Sequence, residues 1–249
     1  MQQTTQMGVN RTGAQMSPID TETMERYADN MGPDSGIDDM NVPAESQPAA
    51  EMRAQYIDEA DPVGSVPLPG TLKGAMSTTM DKLTGNRPEV LIDKLGERLA
   101  FERTGTRLYE LMIAKCKEMD TSAVDPDVLG TLMHFHDEEA EHFAMVDETM
   151  RAIGADPTAV TPCADVAGVT AMGVLQTIAD PRTNFAQCLN ALLTAEMTDN
   201  AGWELLIKLA TETGHTEMAQ KFQQALTEEE QHMATIRQWL ERAVITEAT

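Results

Sequence analysis

The sequence predicts an all-α protein: a four-helix bundle with one long crossover between its second and third helices, preceded by a disordered N-terminal tail. Three observations carry this. From Pro88 onward, apolar residues recur at helical spacing in four stretches of about thirty residues each. The outer two connections are short, whereas about thirty residues separate the second stretch from the third, enough to cross a whole bundle. No stretch shows the alternation of a strand, and no repeat of solenoid period is present.

Residues 1–85 differ from the rest. They hold seven of the chain's twelve prolines (Pro18, Pro33, Pro43, Pro48, Pro62, Pro67 and Pro69) among Gly, Ser, Asp and Gln. Their scattered apolar residues cannot offset the entropy of ordering, so a disordered acidic tail is expected. It ends in PVGSVPLPGTLKG, Pro62–Gly74, read as a plain linker with a docking arm as the alternative. Residues 86–249 are expected to form the bundle.

The first long helix is predicted over Pro88–Lys117, with Leu91, Leu95, Leu99, Leu108 and Met112 on one stripe and proline suited to its first turn. The second runs over Asp125–Ile153 and stops at Gly154, since glycine readily takes the left-handed conformation that ends helices. The crossover carries a short helix over Asp165–Ala179. The third long helix is predicted over Pro181–Thr213, ending at Gly214, and the fourth over Thr216–Ile245. The first and second, and the third and fourth, are expected to be antiparallel neighbours, with a weak two-fold echo between the pairs.

Composition excludes several functions. A net charge of −23 argues against nucleic-acid binding, which needs clustered Lys and Arg, and suits contact with cations or a salty habitat. Cys116, Cys163 and Cys188 are isolated, so neither a disulfide framework nor a thiolate metal site is expected. No apolar leader opens MQQTTQMGVN, and no run approaches membrane-spanning length. A cytoplasmic protein without membrane contact is the expectation.

The segment HFHDEEAEHFAMVDETM, His134–Met150, concentrates carboxylates and imidazoles on a helix that must bury one face. Within it Glu139-x-x-His142 places an acid and a histidine on one face, and Glu229-x-x-His232 does the same on the fourth helix. With this composition about half a match to that pattern arises by accident, so one alone would mean nothing. A third, Glu212-x-x-His215, spans the helix-ending Gly214 and is set aside. The other two sit mid-helix on apolar stripes: Leu132, Phe135 and Met145 or Val146 in one case, Phe222, Leu226, Ile236 and Leu240 in the other.

Each remaining helix offers one acid within an apolar stripe. On the third it is Glu196, among Leu192, Leu193, Trp203 and Leu206. On the first it is Glu102, preferred over Glu97, which points away from the stripe. Single Glu residues from two helices and Glu-x-x-His from the other two form the ligand pattern of dinuclear carboxylate bundles. Four carboxylates in a core are intolerable alone, and two divalent cations cancel them with both imidazoles neutral. Oxygen and imidazole donors without thiolate suit Fe or Mn, with Zn as an alternative, whereas Mg and Ca rarely take histidine. Taken singly, each acid is better explained by a solvated helix face; the matching set is not. Tyr109, on the face of Glu102, is expected to hydrogen-bond a ligand carboxylate or to pack as a core tyrosine. Glu138 and Glu228 are expected to orient the histidine of the opposite motif through its free ring nitrogen. His134 and His136 read as surface or ordinary core residues, and the methionines as gap-filling core.

On Glu102 with Tyr109, DEEAEH (Asp137–His142), LLTAEMTDN (Leu192–Asn200) and EEEQHM (Glu228–Met233), the chain resembles the ferritin-like di-iron superfamily, especially its bacterioferritin and rubrerythrin branch, over about residues 90–245. The resemblance implies two Fe ions held by Glu102, Glu139, His142, Glu196, Glu229 and His232, and oxidation of Fe(II) by O₂ or H₂O₂. Tyr109 is then a nearby catalytic electron or hydrogen-bond donor. The chain lacks the CxxC…CxxC module that supplies electrons in rubrerythrins, which leaves the electron donor unidentified. Its longer crossover and its tail set it apart from cage-forming ferritins, so a homodimer is expected. The leading function is a ferroxidase- or peroxidase-like oxidoreductase in iron and oxidative-stress handling. A manganese catalase-like enzyme with two Mn ions, and a non-enzymatic stress or scaffold protein with a structural metal site, are the alternatives.

Overall fold

A computed structural model describes residues 46–67, 87–119, 121–122 and 124–249. The chain divides into two compact units, Met1–Asp61 and Pro62–Thr249. In the first, helix α1 spans Ser46–Glu59, where the sequence predicted no ordered element. Its SQPAAEMRAQYIDE is rich in good helix formers, and Gln55 Nε2 donates to Glu59 Oε1 one turn on at 2.7 Å. Every residue from Glu51 to Glu59 is exposed, so local propensity rather than packing accounts for this helix. Residues 1–45 and 68–85 of the expected tail lie outside the described residues, as does the expected boundary at 85.

The second unit holds α2 (Pro88–Cys116), α3 (Val128–Ala152), α4 (Pro162–Ala179), α5 (Phe185–Glu212) and α6 (Thr216–Ala248). No strand occurs among the described residues. Local chemistry sets the ends. Asp127 caps α3 by accepting from Gly130 N, and Thr161 caps α4 by accepting from Ala164 N. Asn184 and Gln187 form a reciprocal capping box, which is why α5 begins at Phe185 and not at Pro181. Gly154 and Gly214 take φ of 85° and 84°, so the predicted stops hold. In both, the next residue's N–H reaches back to an orphan carbonyl: Ala155 to Met150 at 2.9 Å, His215 to Ala210 at 2.8 Å.

α2 packs along α3 and α5 along α6, and α2–α5 and α3–α6 contacts join the two hairpins. The crossover helix α4 lies against α2 and α5. Only Ala167 and Ile178 of α4 are buried, while Val166, Val169 and Met172 face outward. The sequence reading placed no run near membrane-spanning length. α4 is nonetheless long and apolar enough to cross a membrane by length and composition alone, the one such helix among the described residues.

Two apolar layers fill the bundle. One contains Leu108, Met112, Leu132, Leu189, Leu192, Ile236 and Trp239. The other contains Leu91, Leu95, Val146, Met150, Trp203, Leu206 and Phe222. Along each of α2, α3, α5 and α6 a few residues separate the two layers, and these are the acids and histidines. Val66, from the segment read as a linker, packs against the second layer, so that end of it docks on the bundle.

Candidate metal centre

Burial of a stripe requires a residue every three or four positions, so a polar residue on it is carried inward whatever its hydration costs. Glu102, Glu139, His142, Glu196, Glu229 and His232 are all on such stripes, and none is more than 3% exposed. Their inward atoms converge. Three overlapping sets could each hold a metal ion, with donor atoms lying within 4.8 Å of one another: Glu139, Glu196, Glu229 and His232; Glu102, His142 and Glu229; and Glu102, Glu139, Asp199 and Glu229. His142 Nδ1 is 2.7 Å from Glu229 Oε1, and His232 Nδ1 is 3.2 Å from Glu229 Oε2.

The outward face of each imidazole is committed. His142 Nε2 lies 2.8 Å from Glu228 Oε2, and His232 Nε2 lies 2.9 Å from Glu138 Oε2. A carboxylate only accepts, so Nε2 carries the hydrogen, and a neutral ring presents its Nδ1 lone pair to the cluster. Each brace comes from the helix opposite, as the sequence predicted. Phe135 lies against the His232 ring at 4.0 Å between centroids, and Trp203 meets His142 edge-on at 5.8 Å. Tyr109 is fully buried, and its hydroxyl donates to Glu196 Oε1 at 2.6 Å.

The residues set aside stay apart. Glu97 pairs with Lys94 at the surface side of α2. His134 is exposed and lies 3.4 Å from Glu138; His136 contacts Asp137 and Glu110. Glu212 ends α5 and His215 precedes α6, so their motif spans a turn.

Sequence reasoning missed Arg98, Asp199 and Asn200, all buried. Arg98 Nε is 2.7 Å from Glu102 Oε1, its Nη2 pairs with the Asp199 carboxylate, and its Nη1 donates to the Asp199 carbonyl at 3.0 Å. The guanidinium also lies over Phe101 and Trp203, 4.5 and 5.1 Å from the ring centroids. Asn200 Nδ2 donates to the carbonyls of Glu196 at 2.9 Å and Glu229 at 3.1 Å, tying α5 to α6 beside the cluster. The signal was available: Arg98 lies one turn before Glu102, and Asp199 three residues after Glu196, on the same faces. Gly105 leaves room for Glu139, whose Cδ would stand 2.7 Å from an added Cβ.

These donors fit divalent cations. Glu102 Oε2, Glu139 Oε2, Glu196 Oε2, both Glu229 oxygens and both Nδ1 atoms are buried and lack a hydrogen-bond partner. Leaving such atoms unsatisfied costs several kcal/mol per charge even after relaxation, on the order of the whole stability of a domain when summed. Arg98 and Asp199 cancel each other, so the four glutamates leave an uncompensated charge of −4, which two divalent ions match. Without a cation, protons take that place. Burial, then Glu229 and the other acids, push the Glu196 carboxyl up to about 8. Burial, only partly offset by Arg98, pushes Glu102 up to about 7. Burial resists ionisation of Glu229 too, but contacts with His142 and His232 pull its carboxyl below the usual range. Burial opposes charging of His142 and is outweighed by Glu229 and Glu102, which bring it up to about 9. Burial and Glu196 hold the Tyr109 phenol well above its ordinary value, so it stays a neutral donor. A surface pocket of about 160 Å³, lined by Glu141, Met145, Lys221, Gln224 and Glu228, reaches His142.

Helical hairpins clasping a buried layer of carboxylates and imidazoles define a bundle able to hold metal. The chain belongs to the ferritin-like domain family, whose family model matches residues 92–244. No curated protein and no solved structure matches it.

Proposed function

We propose that the cluster holds two iron ions and that the protein oxidises Fe(II) with O₂ or H₂O₂, as a ferroxidase- or peroxidase-like oxidoreductase of the bacterioferritin- and rubrerythrin-like branch. One observation supports this above the others: each of the four buried carboxylates keeps at least one oxygen, and each imidazole its inward Nδ1, without a hydrogen-bond partner. Glu102 and His142 would hold one ion and Glu139, Glu196 and His232 the other, with Glu229 belonging to both sets. Two Fe(II) held there would supply one electron each, enough to reduce one H₂O₂, with two protons, to two waters. Carboxylates, which can offer a metal one oxygen or two, would let these four glutamates follow the change in charge. Tyr109 orients Glu196 and lies within reach as a hydrogen-bond or electron donor, and the apolar layers keep bulk water from the site.

We further propose a cytoplasmic homodimer handling iron under oxidative stress. The free thiols Cys116, Cys163 and Cys188 suit a reducing compartment. The outward face of α4, with Asp165 its only charge, offers two strongly acidic copies a place to meet without repulsion.

Metal analysis of the purified chain, followed by anaerobic Fe(II) titration and addition of O₂ or H₂O₂, tests the reading. About two irons per chain, oxidised on addition, is the expected result. Two manganese ions with evolution of O₂ from H₂O₂ would replace it with a catalase-like enzyme. No uptake of metal would end it.

A further inference from the structure

The two terminal carboxylates are held alike and by different chemistry. Glu196 on α5 has Oε1 tied to Tyr109 of α2, leaving Oε2 4.0 Å from His232 Nδ1. Glu102 on α2 has Oε1 against Arg98 Nε, leaving Oε2 3.8 Å from His142 Nδ1. Arg98 is in turn anchored on α5, by both the carboxylate and the carbonyl of Asp199. Room is kept for it: a Cβ at Gly202 would stand 2.7 Å from Nη1. A planar fork holds two partners in fixed directions, which the rotatable ammonium of a lysine does not.

We infer that Arg98, anchored by Asp199, is a positioning residue that turns one oxygen of Glu102 toward the cluster, so that the metal position of Glu102, His142 and Glu229 depends on it. The position of Glu139, Glu196, Glu229 and His232 does not. The inference rests on the dinuclear reading above. Deleting both charges together, Arg98→Met with Asp199→Asn, keeps the net charge of the core unchanged and frees Glu102 Oε1.

The test is anaerobic Co(II) titration of the full chain, followed by visible absorption and calorimetry. Wild type is expected to take up two ions. The double variant is expected to keep the first and to bind the second about 10- to 100-fold more weakly. Arg98→Lys, which keeps the charge without the fork, is expected to weaken the second step by less and to leave the first unchanged. A purely structural role would lower both steps together, and that result would overturn the inference, as would a second step unchanged or tightened. If the double variant does not fold, an Arg98→Lys protein that titrates like wild type overturns it equally. Wild type that binds no Co(II) removes the dinuclear reading itself, and the inference with it.

Discussion

Glu228 of α6 holds His142 of α3 at 2.8 Å through the ring nitrogen that faces away from the cluster. Glu228 is itself partly exposed, with 29% of its side chain accessible, so removing it leaves no large void. Glu228→Ala is therefore expected to leave helicity intact and to lower metal affinity by about 10- to 100-fold, because His142 loses its fixed orientation. Glu138→Ala should do the same through His232. Metal titration monitored beside circular dichroism checks both.

Glu139→Ala and His232→Ala remove donors that lie at the centre of the cluster. Each is expected to lose at least one metal per chain and to abolish the rise in melting temperature that metal produces. Glu148→Ala, on the exposed face of α3, should change stability by no more than about 0.5 kcal/mol and leave metal content alone. Equal behaviour of all three would refute the site.

Gly105→Ala sets two effects against each other. Alanine in a helix gains about 1 kcal/mol over glycine. Its methyl group would press into the Glu139 carboxylate, and overpacking of a filled interior costs about 1–3 kcal/mol. The clash is expected to win, with weaker metal binding and a lower melting temperature. A variant that is stabilised and binds metal normally would show that Glu139 has room to move.

The metal-free protein should lose stability as pH rises from about 5 to 9. Glu102 and Glu196 are raised in the fold to about 7 and about 8, and His142 to about 9. For groups raised in this way, the folded state binds more protons than the unfolded one, and that contribution disappears as pH passes through the folded values. Glu229, which is lowered, stays ionised throughout this window and contributes no slope. Metal needs the deprotonated donors, so the increment in melting temperature that metal gives should grow over the same range. Scans of apo and loaded protein at several pH values decide this, and an apo stability that rises with pH would contradict the burial argument.

Truncation separates the two units. Removing residues 1–61 should leave melting temperature and metal content unchanged, since Glu51–Glu59 of that unit are exposed throughout. Removing residues 1–85 also deletes Val66, which packs on the bundle. That should cost on the order of 1 kcal/mol, the worth of a partly buried valine. Unfolding on either deletion would show the bundle to depend on what precedes it.

The bundle was readable because its signals are periodic. Leu91 to Met112 spell one stripe, and Gly154 and Gly214 stop their helices by a conformation few other residues tolerate. The six acids and histidines were readable because they repeat a spacing on matching stripes, and Glu138 and Glu228 followed from their adjacency to them. Arg98 and Asp199 were missed because a charged residue on a helix usually faces water, and only each other's company makes their burial tolerable. That pairing joins positions 101 residues apart and leaves no local mark. Helix α1 was missed for the opposite reason: prolines and low hydrophobicity around it masked a short run of strong helix formers.

The braces around the cluster are all exchanged between hairpins. α6 steadies the imidazole of α3, α3 that of α6, α2 the carboxylate of α5, and α5, through Arg98, that of α2. Neither hairpin alone therefore carries a finished half of the site; each has donors without their supports. During synthesis α6 emerges after α2, α3 and α5, and brings Glu228, Glu229 and His232 together. The nascent chain is thus expected to stay a poor chelator until α6 docks, so that any metal ion would be held only by a bundle already closed around it.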